Sequence, residues 1–170
     1  MNAEILYTMF HWEGGDTLTD HPNDKGGATK YGIAQKYHPG IDVAKLTQTQ
    51  AMGIYVEEYW NPMKCADLRS QRLKWKVFDV AVQFGVLRAT HILQEAVGVD
   101  MDGKIGQVTL SAANAMPEDT VLTRIAFAME RRRAYAVVKD PTQLVFLTGW
   151  IRRAQDLGEA IAKYGTQSPS

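Results

Sequence analysis

From Thr47 onward the apolar residues recur three and four positions apart, and that spacing commits most of the chain to helices packed on one another. Thr47 and Gln50 form an expected capping box, opening a helix whose apolar face is Met52, Tyr55, Val56 and Tyr59 and which Asn61-Pro62 stops. A next helix carries Val77, Phe78, Ala81 and Val82 and breaks at Gly85. Another carries Ile92, Leu93, Ala96 and Val97 and is capped by Gly98. A turn-rich link, Asp100 to Gly106, leads to a short helix around Leu110 to Ala115. Pro117 begins a long helix with Leu122, Ile125, Ala126 and Met129 inward, closed by Asp140-Pro141. The last helix places Leu144, Leu147, Ile151, Ala154 and Ile161 on one side.

One stretch escapes the pattern. Ile5, Leu6, Met9 and Phe10 follow helical spacing, but Gly14-Gly15 ends that helix. Asp16 to Gly27 is then polar and rich in Asp, Asn, Pro and Gly, the mark of a long loop or small hairpin, and ordered loops of that length are usually functional. The fold class expected is all-α with one glycine-rich loop or small hairpin near the N-terminus. Two parts are expected, 1–70 with the helix-loop unit and 71–165 with the remaining helices, packed as one globular unit.

Composition removes several function classes. The 19 basic and 19 acidic residues cancel, so no nucleic-acid partner held by bulk charge is expected. Cys65 is the single cysteine, so an internal disulfide is excluded, as suits a reducing compartment. It reads as a small buried hydrophobe, because nothing nearby supplies a His base. No apolar run reaches the length of a membrane span. The start, Met1-Asn2-Ala3-Glu4, lacks the basic opening of a signal peptide. The chain is therefore expected to be made in the cytoplasm and to need a separate route out if it works beyond the membrane.

Glu13 stands out chemically. It lies three residues after Phe10 and four after Met9, so a helix would carry its carboxylate on the core-facing stripe. Partial burial against Phe10 or Trp12 would raise its pKa, giving the protonated acid that a glycosidase donates to a leaving oxygen. A helix-end Glu turned into solvent is the plainer alternative. The loop that follows has glycine pairs at Gly14-Gly15 and Gly26-Gly27, which permit close ligand approach, and between them Asp16, Asp20, His21, Asn23 and Asp24. Glycoside hydrolysis commonly uses a second carboxyl group. Asp24 is the best placed, beside the second glycine pair and ahead of Thr29, whose hydroxyl can hold a water. Ordinary turn chemistry remains the alternative for each loop Asp.

Glu13-Gly14-Gly15 followed by Pro22-Asn23-Asp24-Lys25-Gly26-Gly27-Ala28-Thr29-Lys30-Tyr31-Gly32-Ile33 resembles the signature of glycoside hydrolase family 108, which contains phage endolysins and bacterial muramidases, some described as secretion activators. The likeness implies a lysozyme-like fold and hydrolysis of the bond between N-acetylmuramic acid and N-acetylglucosamine in peptidoglycan, with Glu13 essential. It implies no cofactor, peptidoglycan glycan strands as partner, a holin or export system for release, and action in the periplasm or wall. A looser likeness to phage-type lysozymes implies Asp24 and Thr29 as the supporting pair. Substrate contacts are expected at Gly14, Gly15, Gly26, Gly27 and Tyr31, with Tyr59 and Trp60 as stacking platforms for sugar rings, although Tyr59 lies on the apolar stripe and a place in the core is its plainer reading. Asp16 replaces the aromatic residue usual after the glycine pair.

The second half resembles the family's peptidoglycan-binding segment through Tyr59-Trp60-Asn61-Pro62, Phe78-Asp79-Val80-Ala81-Val82, Gly98-Val99 and Asp102-Gly103. A non-catalytic peptidoglycan-binding or secretion-accessory protein is the rival reading. Three smaller features are expected to be structural. His11 and His21 lack the spacing of a zinc pair. Asp100-Met101-Asp102-Gly103 lacks the distal ligands of a calcium loop and reads as a turn. Arg131-Arg132-Arg133 reads as a solvated helix face with at least one Arg paired to an acidic neighbour, although the run can also touch anionic wall polymer.

Overall fold

A computed structural model of the chain describes Ile5, Thr8, Met9, residues 15–19, residues 27–156 and Glu159. Six α-helices and one two-stranded sheet lie among the described residues: β1 (Thr29–Lys30), β2 (Ile33–Ala34), α1 (Gln48–Tyr55), α2 (Gln71–Phe84), α3 (Val86–Val97), α4 (Gln107–Ala115), α5 (Glu118–Lys139) and α6 (Leu144–Gln155). The fold is mainly helical, consistent with a lysozyme-like architecture. The chain divides into two compact units that part between Glu58 and Tyr59. No helix of the described residues is long and apolar enough to cross a membrane.

In the first unit, Ile5, Thr8 and Met9 are helical and fully buried. The capping box at Thr47 is present in full: Thr47 Oγ1 accepts from the Gln50 amide at 3.3 Å, and Gln50 Oε1 accepts from the Thr47 amide at 2.9 Å. The helix it opens differs from expectation in phase. Ala51 and Tyr55 are buried four residues apart, but a π-helical turn over Val56–Trp60 then adds a residue, and the next buried side chain is Trp60. An α-helical count of four from Tyr55 reaches Tyr59 instead, which is only half-buried, as are Met52 and Val56.

The second unit has its core in α2, α3 and α5, which pack against one another around the fully buried Trp75, Phe78, Ile92, Leu93, Leu122 and Ile125. Each such side chain contributes roughly 1.5–3 kcal/mol by leaving water. Gly85, at φ +78°, separates α2 from α3, and Gly98 closes α3 in the left-handed conformation at φ +73°. Glu118 and Asp119 in the first turn of α5 and Lys139 in its last complement the helix dipole.

α6 is fastened in a way the sequence did not announce. The fully buried Lys76 of α2 donates from Nζ to the carbonyls of Arg153, Ala154 and Asp156, at 3.0, 2.7 and 2.7 Å. These are the unpaired carbonyls of a helix end, and a cation is suited to them. Burial presses the Lys76 pKa down, against the pull of Asp79 and Asp156. Asp79, also buried, accepts from Arg153 Nε at 2.8 Å and from Gln83 at 2.8 Å. The far end of α6 departs from its expected stripe. Leu144 is 59% exposed, Leu147 and Ile151 are half-buried, and Ala154 is buried; Ile161 lies outside the described residues.

Candidate functional site

Four of the expected site residues, Gly15, Gly27, Thr29 and Tyr31, are brought together by the β1–β2 hairpin and an isolated bridge beside it. β1 and β2 form a hairpin whose turn, Tyr31-Gly32, has positive φ at both positions, 54° and 76°, the geometry that matches the twist of paired strands. Glycine is at ease there, whereas Tyr31 is strained. Bonds to its backbone hold it there: its amide donates to the Gly15 carbonyl at 3.1 Å, and its own carbonyl accepts from Tyr55 Oη at 2.8 Å. Thr19 pairs with Thr29 on the other edge, through amide-to-carbonyl bonds of 2.9 and 2.8 Å. The glycine-rich stretch thus returns to the sheet at both ends of what is described.

Thr29 is half-buried, and its hydroxyl donates to the Gly27 carbonyl at 3.2 Å. With the proton so committed, the oxygen is left to accept, as it must to hold a water. Gly27 sits at φ +70°, where a side chain is disfavoured, and Gly15 at +66°. Gln35 braces the segment beneath. Its amide nitrogen donates to the carbonyls of His38 and Ile41 at 3.0 and 2.6 Å, while its oxygen accepts from the Val43 amide at 3.1 Å. Sequence reasoning missed this brace, since a single Gln carries no periodic signal.

Glu13, Gly14, Asp24 and Gly26 lie outside the described residues. Of the two aromatic platforms, Trp60 is 5% exposed and meets Phe78 edge-on with ring centroids 5.8 Å apart, so its ring is part of the core. Tyr59 retains partial exposure. Cys65 is fully buried, and burial pushes its thiol pKa well up, outweighing the nearby charge of Lys74; a thiol so placed is no nucleophile. Asp102 serves a turn: its carboxylate accepts from Gln94 at 2.6 Å and from the Lys104 amide at 2.9 Å. No group of three or more His, Cys, Asp or Glu able to hold a metal occurs among the described residues.

The glycine-rich hairpin and the helical second unit both have counterparts. Residues 6–85 match the glycosyl hydrolase 108 family, and residues 88–155 match the predicted peptidoglycan domain. The solved structure of Brucella abortus SagA is 34% identical to the chain, with a TM-score of 0.72, covering 94% of this chain and 92% of that one. The chain belongs to the glycosyl hydrolase 108 family. None of the curated proteins matches it. Family membership and the second matched region together tie this glycosyl hydrolase 108 chain to peptidoglycan and to a lysozyme-like role. The matched span includes the hairpin, Thr29 and the Glu13-Gly14-Gly15 motif.

Proposed function

We propose that the chain is an N-acetylmuramidase, hydrolysing the bond between N-acetylmuramic acid and N-acetylglucosamine in peptidoglycan, with Glu13 as the general acid. The observation that carries the reading is where Glu13 falls in the sequence. Within the family match, it comes four residues after Met9 and eight after Ile5, both helical and fully buried. Helical spacing in the sequence keeps position 13 in phase with those two, and a carboxyl group on such an apolar side would hold its proton near neutral pH. The acid then protonates the leaving glycosidic oxygen as the bond breaks.

The attacking side is assigned to Asp24 or to a water accepted by Thr29, whose oxygen is presented by the hairpin with its proton already given to Gly27. Gly14, Gly15, Gly26 and Gly27 would let the glycan approach the backbone, and Tyr31 would flank it. Trp60, buried against Phe78, is given no part in stacking on sugar.

Glu13→Gln keeps the shape and removes the transferable proton. Release of reducing ends from purified sacculi is expected to fall by at least about 10²–10⁴-fold, with an unchanged circular dichroism spectrum. Lysis at the wild-type rate by Glu13→Gln would sink the assignment. Wild-type protein that pellets with sacculi but never cuts them would favour the non-catalytic, wall-binding alternative.

A further inference from the structure

The second unit contains a cleft of about 850 Å³ between the end of α2, the second half of α5 and α6. Its lining is strongly basic, although the whole chain is neutral: Arg88, Arg131, Arg132, Arg133 and Lys139 face it, with Asp140 as the one acidic residue of the lining. That acid is already occupied, accepting from the Thr142 amide and hydroxyl and from Gln143. Arg131 and Arg132 both pair with Glu95, Arg132 at 2.8 Å, so the expectation of a paired helix face holds for those two.

Arg133 is different. Its guanidinium lies over two aromatic rings, Phe84 and Trp150, with each centroid 4.3 Å from Cζ. Contact with two rings restrains its plane and leaves its edge for hydrogen bonding. Its Nε is buried without an acceptor among the described residues, and no hydrogen bond or ion pair engages its other nitrogens there. Burial draws its pKa below the usual guanidinium value, with Arg153 adding to the effect and the Asp79 carboxylate opposing it, and an arginine so placed still carries its charge at neutral pH. A charged guanidinium whose Nη edge takes no hydrogen bond or ion pair among the described residues suits a planar anion.

We propose that this cleft binds a carboxylate of the peptidoglycan stem peptide, with Arg133 as the recognition group and Arg88 at its rim. Arg88 is exposed and has no carboxylate partner among the described residues. The choice of a carboxylate rests on the two-pronged edge of Arg133. The choice of stem peptide rests on the cleft's position, lined chiefly by the region that matches the predicted peptidoglycan domain. The aromatic walls suit the aliphatic parts of such a peptide, and neutral sugars would leave the guanidinium unanswered. The proposal rests on peptidoglycan being the substrate, and it gives the second unit a task separate from cutting.

The test titrates the full-length chain by calorimetry with the synthetic tetrapeptide L-Ala-γ-D-Glu-L-Lys-D-Ala, and with the same peptide bearing carboxamides in place of its carboxylates. The acid form is expected to bind at least about tenfold more tightly than the amide form, a preference that Arg133→Gln removes and Arg88→Gln reduces. Equal binding of the two forms, binding of neither, or a preference that survives in folded Arg133→Gln overturns the proposal. Should Arg133→Gln not fold, Arg88→Gln decides: an unreduced preference overturns it as well. A glycerol-phosphate polymer that displaces the peptide at lower concentration would show that a wall phosphate is the true occupant, and the proposal falls. Reducing-end release from sacculi is read in parallel, so failure here with cutting intact leaves the muramidase reading standing.

Discussion

Lys76 shows how one side chain decides whether a helix stays docked. Its replacement by Met keeps the length and apolar stem but strips three backbone carbonyls of their donor in a buried place. Lys76→Met is expected to cost about 3 kcal/mol, measurable by urea unfolding. The pH dependence has a definite sign. Because burial lowers the folded pKa, the unfolded state binds the proton more readily, and stability gains as pH rises from the lowered value towards the ordinary lysine value. That increment should vanish in Lys76→Met. Nothing in the sequence marked this lysine: it sits between Trp75 and Val77 as one more charge in an amphipathic stretch, and only the return of α6 creates its partners. Arg133 was hidden in the same way, within a run whose first two members take Glu95 and leave the third to the rings of Phe84 and Trp150.

Helices were legible wherever a local rule fixed both ends. Gly85, Gly98 and Asp140 end their helices where the sequence leads one to expect, Gly98 in the left-handed conformation, and the capping box at Thr47 is a two-residue pattern that depends on nothing distant. Thr47→Ala should therefore cost about 1 kcal/mol, seen as a drop of several degrees in the thermal midpoint, without altering the hairpin. Phase was less legible. The π turn at Val56–Trp60 exchanges Tyr59 for Trp60 on the buried side, because an inserted residue is invisible to a count of three and four. Leu144 fits the spacing of α6 yet is exposed, since periodicity shows which side is apolar and not how far along the helix a neighbour extends. At the hairpin, Gly15, Gly27 and Thr29 had been picked out from the glycine pairs and the motif around them. The Tyr31-Gly32 turn was not, because a tyrosine at positive φ depends on the bonds to Gly15 and Tyr55 that hold it there.

At the scale of the whole molecule, the two units differ in how much core each owns. The described residues of the first unit bury Ile5, Met9, Ile33, Val43, Leu46, Ala51 and Tyr55, whereas the second has the large side chains of Trp60, Trp75 and Phe78 and the aliphatic layers of α2, α3 and α5. A fragment of residues 59–160 is expected to melt in one cooperative transition, and residues 1–58 alone to show none, when each is followed by circular dichroism. A cooperative melt of the shorter fragment would show that the hairpin unit is self-sufficient. The family match does not respect this division. It assigns α2 to the glycosyl hydrolase region, although α2 packs within the second unit and carries Lys76. That lysine also anchors α6 at one end. Its last turn cannot fray without stranding an ammonium among Trp75 and its neighbours, whereas the opening turn leaves Leu144, Val145 and Phe146 exposed. The anchor lies one turn beyond Trp150, so the clamp on the helix end also keeps in place one of the two rings that hold Arg133.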